Sequence, residues 1–193
     1  MTELPETNAT NETNKTNEST EMTELNETTE TTGTTGTTGT TGTTEVTPAL
    51  VEKAYIALLS CDRAEASQYW AEHVRFSVPG RHAQAGWHEG LDELLAFRRA
   101  LTEAAGGDFQ VELVTSMISG NENMDVVKVH AVRKGAPADS TSPFDVLDAL
   151  GVQVFRWEDG RIVEGHAGFF GDGSTNYDQW WSPLDGDGNR RYH

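Results

Sequence analysis

The spacing of hydrophobic residues changes period once along this chain, and the change divides its folded part in two. Leu50, Val51, Ala54, Ala57 and Leu58 recur every three or four positions and predict a helix from Pro48 to about Ser60. Thr47 is a fair N-cap for it, and Pro48 suits its first turn. Asp62 can cap a second short helix over 63–70. Val74 to Val78 alternates and stops at Pro79-Gly80, which reads as a strand ending in a turn, with a loop over 81–90. Leu91, Leu94, Leu95, Arg98, Leu101 and Thr102 keep the 3.6-residue period, so a helix runs from Leu91 to Ala105 and stops at Gly106-Gly107. Beyond it the period is two. Strands are predicted over Phe109–Ile118, Met124–Arg133, Gly151–Trp157 and Arg161–Phe169, with turns at 120–123 and 158–160 and a loop over 134–143. Phe144 to Leu150 fits either a helical turn or an irregular strand start. Helices first and an antiparallel meander last define an α+β fold, with helices packed on one face of a curved sheet.

Residues 1–47 show neither period. They are mostly Thr, Glu, Asn and Gly, with Asn-x-Thr/Ser units at Asn8, Asn11, Asn14 and Asn17 and a Thr-Thr-Gly run, and no aromatic residue occurs before Tyr55. A segment with so little to bury is expected to be a disordered tail. The domain is therefore expected over 48–183, followed by a short polar tail over 184–193. The start of the chain lacks the basic and apolar stretches of a secretory signal, so the Asn-x-Thr units are expected to stay unglycosylated and the protein to be cytoplasmic.

Charge removes several classes of partner. The chain carries 31 acidic and 14 basic side chains, a formal net charge of −17, and both tail and domain are acidic. Nucleic acid and anionic membrane surfaces both call for a basic face, so neither is expected as a partner. No apolar run approaches the ~20 residues of a membrane helix. One cysteine, Cys61, leaves no internal disulfide, and six histidines show no His-x-x-x-His spacing, so no metal centre is expected.

The order of elements and several short words resemble the SnoaL-like group, which includes polyketide cyclases, within the nuclear-transport-factor-2-like (ketosteroid-isomerase-like) superfamily. The words are Tyr55-Ile56-Ala57-Leu58-Leu59-Ser60 followed by Asp62, Val74-Arg75-Phe76-Ser77-Val78-Pro79-Gly80, Ala85-Gly86 with Glu89-Gly90, Val154 through His166, and Asp172 with Asp178-Gln179-Trp180-Trp181-Ser182. The resemblance covers about 48–183. It implies a cone with one deep pocket between the concave sheet face and the helices. It also implies a homodimer through the convex face, to which Trp180 and Trp181 would add apolar area. His73 and Ser77 depart from the commoner family pattern, which has Asp and His there.

Within that frame the expected chemistry is cofactor-free acid–base catalysis on an apolar oxygenated small molecule, a cyclisation or isomerisation. Alternation puts Ile162, Glu164 and His166 on one face of the last strand and Val163, Gly165 and Ala167 on the other. Glu164 in an apolar cavity would have a raised pKa and exchange a proton with His130, while His166 or Tyr55 steadies the substrate oxygen. Tyr55, Phe76, Trp87, Phe97 and Gln153 are the candidate substrate contacts. Two alternatives stand beside this reading. Glu164 could instead form a salt bridge with Arg156 or Arg161, and His130 could lie on the convex face; that placement would favour a ligand-binding or dimerisation module without chemistry. An epoxide hydrolase would need a second carboxylate beside Glu164, with Asp148 or Asp172 as its source.

Overall fold

The computed structural model describes residues 44–182, all within one compact unit. The polar segments over 1–43 and 183–193 lie outside the described residues. Residues just ahead of Pro48 also make contacts. Val46 is buried in the core and Thr44 lies against Gly160. Helix α1 (Pro48–Leu59) then starts as its sequence dictates, with the Thr47 hydroxyl accepting from the Leu50 N–H at 3.2 Å and Pro48 in the first turn.

The second helix is shorter than its pattern suggests. Helix α2 (Arg63–Ala66) is capped by Asp62, and the chain turns out of it so that Trp70 opens strand β1 (Trp70–Val78). Burial decides this: the Trp70 ring sits in the core and its indole N–H donates to the Ala54 carbonyl of α1 at 2.9 Å. Part of the expected loop over 81–90 is strand β2 (Gly86–Glu89), an edge strand paired antiparallel with β1. Its exposed polar residues carry no alternation that a sequence could show. Helix α3 (Leu91–Ala104) buries Leu91, Leu94, Leu95 and Leu101, each worth about 1.5–3 kcal/mol.

Strands β3 (Phe109–Ser119), β4 (Glu122–Val132), β5 (Val146–Glu158) and β6 (Arg161–Phe169) form the meander. The ambiguous stretch before Gly151 is strand, pairing Val146–Leu150 with Val132–Lys128. The β5–β6 turn is a two-residue Asp159-Gly160 hairpin with both residues at positive φ, the conformation that matches strand twist. The six strands run in the order β2-β1-β6-β5-β4-β3, antiparallel except for the β1–β6 pair. Helix α4 (Gly173–Trp181) has a helix-poor beginning, Gly-Ser-Thr-Asn, and was not expected from local pattern. Packing fixes it, because Tyr177 and Trp180 are buried. This corrects the reading of Trp180 and Trp181 as interface area. Trp180 is wholly buried, and Trp181 is half-buried against Trp180 and His82.

Candidate functional site

A cavity of about 90 Å³ (the volume open to the centre of a water molecule) lies between the helices and the sheet. Tyr55 from α1, Phe76 from β1, Phe97 and Arg98 from α3, and Gln153 from β5 contribute to its wall. The rest is almost wholly apolar and aromatic. Four of the five candidate substrate contacts thus share one cavity: Tyr55, Phe76, Phe97 and Gln153.

The cavity has one polar pole. The Tyr55 hydroxyl lies 2.9 Å from Asp125 Oδ2 and 2.9 Å from Gln153 Oε1. A phenol has one proton and cannot satisfy two acceptors. With the Gln153 amide turned, its N–H donates to the Tyr55 oxygen and the phenolic proton belongs to Asp125. Burial, the Asp125 charge and the hydrogen bond to it push the Tyr55 pKa up, so the phenol keeps its proton through the working pH range. Asp125 stands behind Tyr55 with 0% exposure, and its Oδ1 has no hydrogen-bond partner. Ser116, its register partner on β3, and Asn123, two positions back on β4, also hold buried polar atoms without a partner. The Asn123 Oδ1 accepts from the Trp157 indole N–H, so this end of the sheet is a buried polar layer beneath an apolar cavity.

The three expected catalytic residues lie elsewhere. His130 is exposed on the outer sheet face, between Gln110 and Asp148 of the flanking strands. Glu164 sits on the same outer face with His166, whose Nε2 is 3.2 Å away. Arg156 at 3.8 Å and Arg75 at 4.0 Å complete the cluster. The positions of β5 opposite His130 and Glu164 are Asp148 and Arg156. They are eight residues apart, roughly 26 Å along a strand, so a His130–Glu164 proton couple does not form. The Glu164 pKa is lowered, first by the hydrogen bond to His166 and then by Arg156 and Arg75, where a cavity carboxylate would have been raised. Trp87 is also outside the cavity, exposed on β2 with the Arg75 guanidinium 4.3 Å from its ring centroid and the His166 ring at 5.0 Å.

The correction has a physical cause. The small face of β6 is the inner one. A Cβ on Gly165 would stand 2.6 Å from Phe76 and 2.9 Å from Phe155, so the strand is small there because its neighbours are large. The residues missed were legible in stripes already in view. Extending Val127, Val129 and Ala131 back in steps of two reaches Asp125 and Asn123. Arg98 is the one charge in the apolar stripe of α3. Among the described residues no group of three or more His, Cys, Asp or Glu side chains is placed to hold a metal ion.

Helices packed inside a curved, mostly antiparallel six-stranded sheet around an apolar cavity are the nuclear-transport-factor-2-like architecture. The chain belongs to the SnoaL-like domain family, whose model matches residues 51–165. It is 33% identical over 84 residues to an uncharacterized protein of Mycobacterium bovis, a match covering 44% of this chain and 63% of that protein. The match therefore spans less than two thirds of that relative's length. A solved structure from a soil-derived mobile gene cassette superposes with a TM-score of 0.59 at 24% identity, covering 69% of this chain and 94% of the other. A Jannaschia protein designated a candidate SnoaL-like polyketide cyclase superposes with a TM-score of 0.50 at 14% identity, covering 63% and 83%. These structures share the fold. The family includes polyketide cyclases and isomerases.

Proposed function

We propose that this protein is an acid–base enzyme, working without a cofactor, that removes and returns a proton next to a carbonyl of an apolar oxygenated metabolite, as a cyclase or isomerase does. The observation that carries the reading is the Tyr55 hydroxyl, bound to the buried Asp125 carboxylate at 2.9 Å, in the wall of an otherwise apolar cavity. The substrate proton passes to the Tyr55 oxygen as the phenolic proton passes to Asp125 Oδ2. No tyrosinate need form, which suits a phenol whose pKa is raised. A Gln153 N–H is the donor at hand for the developing enolate oxygen, in a site where apolar walls keep such a bond strong.

A probe of this step is deuterium uptake by cyclohexanone in D2O, followed by proton NMR. Wild-type protein is expected to accelerate exchange over buffer, and Tyr55→Phe to lower the acceleration by about 10²–10⁴. A Tyr55→Phe protein that is folded and as active as wild type removes Tyr55 from the chemistry.

The second reading, a ligand-binding or dimerisation module, is favoured by a specific observation: His130 and Glu164 lie on the outer sheet face. Absence of any exchange activity, with binding retained, would select it. The epoxide-hydrolase alternative gains no such support, because Glu164, Asp148 and Asp172 are all outside the cavity wall. The outer face also carries exposed Met117, Met124 and Val154 in one row across β3, β4 and β5, and a homodimer through this face is part of the proposal.

A further inference from the structure

Arg98 is the residue that the proposed proton transfer leaves without a task. It sits in the apolar stripe of α3 between Leu94 and Leu101, is 8% exposed, and lines the same cavity as Tyr55 and Gln153. Its Nη2 reaches the Phe109 carbonyl at 3.4 Å, and its guanidinium carbon lies 5.2 Å from the Phe109 ring centroid. Nε and Nη1 are inaccessible to solvent and have no hydrogen-bond partner. Among the described residues no carboxylate forms an ion pair with it.

A guanidinium stays charged inside a protein, and burying one without a partner costs several kcal/mol. Burial pulls the Arg98 pKa down; Cys61 and Tyr177 are the nearby groups whose charge would oppose that shift. The Tyr177 phenol is itself pushed up by burial and holds its proton. Among the described residues the chain therefore supplies the cation and not its counter-ion.

We infer that the ligand of this cavity carries a carboxylate that seats on Arg98, while its reacting oxygenated end faces Tyr55 and Gln153. The inference rests on the cavity being the ligand site. Three features select a carboxylate. The guanidinium fork matches two coplanar oxygens. One cation balances one negative charge, whereas a phosphate monoester brings about 1.5–2. The remaining walls are apolar and suit the carbon body of a small acid. The cavity volume of about 90 Å³ is roughly six times the least space that one water needs and lies below the ~150 Å³ of an apolar cavity that takes up benzene, so it suits a small acid of at most one ring. The substrate class is then an aromatic or alicyclic keto acid, oriented by its acid group and reacting at its carbonyl end.

The test is calorimetric titration of the full chain with benzoate, benzamide and phenyl phosphate, repeated on Arg98→Met. Methionine keeps an apolar stem and removes the charge, a change that buried ion sites often tolerate. In wild-type protein the acid is expected to bind at least about tenfold more tightly than the amide. In Arg98→Met that preference is expected to vanish while the amide still binds. The acid-to-amide ratio in the wild type stands on its own if the variant does not fold. Equal binding of acid and amide overturns the inference and leaves the cavity as a ligand site. A preference that survives in Arg98→Met overturns Arg98 as the seat. Tighter binding of the phosphate overturns the carboxylate. Failure of all three probes to bind at millimolar concentration overturns the ligand cavity itself.

Discussion

At the scale of single residues the fold is decided by what a side chain meets. Gly165 is the plainest case, since any Cβ there runs into the Phe76 and Phe155 rings. Gly165→Ala is expected to cost about 1–3 kcal/mol in urea unfolding and to disturb Phe76, a cavity-wall residue. A variant of wild-type stability would show that the rings move aside freely. His82 gives a prediction in pH. Its Nδ1 accepts from the Gln84 N–H at 3.2 Å, its Nε2 lies 3.1 Å from the Pro79 carbonyl, and its ring packs on Tyr177 and Trp181. Burial lowers its pKa from 6.5, against the opposing charge of Asp178. The unfolded chain thus takes up this proton first as pH falls. The stability contribution is complete above about 6.5 and is lost as pH drops through the lower, folded value. Melting temperatures between pH 7.5 and 5 should fall less for His82→Gln than for wild type. Parallel profiles would show that His82 does not set the slope.

At the scale of elements, local pattern was a good guide where one face is buried and a poor one where tertiary contacts decide. Helices α1 and α3 and the alternation of β4 and β6 could be read from the chain, because each buries one stripe. Strand β2 could not, because an exposed edge strand buries no alternating face. Helix α4 could not, because burial of Tyr177 and Trp180 overrides a helix-poor start. Alternation separated Glu164 and His166 from Gly165 and Ala167, but the register shift at Arg156–Trp157 brings Ile162, read on the face of Glu164, into the core, and the pattern could not say which face met the cavity. That choice depends on the Phe76 and Phe155 rings supplied by other strands. The candidate site was half legible for the same reason: Tyr55 and Gln153 could be singled out, while Asp125 lay in a stripe read only for its apolar members and Arg98 was read only as part of the helical period. The start of the domain yields a further prediction. A chain beginning at residue 48 loses buried Val46 and the Thr47 cap, and should melt lower than one beginning at residue 44. The cap accounts for ~1 kcal/mol of the difference, which Thr47→Ala measures alone. Equal melting of the two truncations would put the domain boundary back at Pro48.

At the scale of the whole molecule the sheet has two unlike faces. The inner face holds the cavity and its buried polar layer. The outer face pairs an apolar row, Met117, Met124 and Val154, with the charged cluster of Arg75, Arg156, Glu164 and His166. Sedimentation at micromolar concentration is expected to show a dimer, and Met124→Lys to shift it towards monomer. A monomer at every concentration would leave the outer face without that role. No helix among the described residues is long and apolar enough to cross a membrane. The central claim is that proton transfer belongs to the inner face and not to the outer one. Deuterium exchange into cyclohexanone by Asp125→Asn and Glu164→Gln, measured side by side with wild type, tests it most directly. Asp125→Asn is expected to lose about 10²-fold or more of the catalysed rate and Glu164→Gln to keep it. Loss of activity in Glu164→Gln with a folded, active Asp125→Asn would contradict the account.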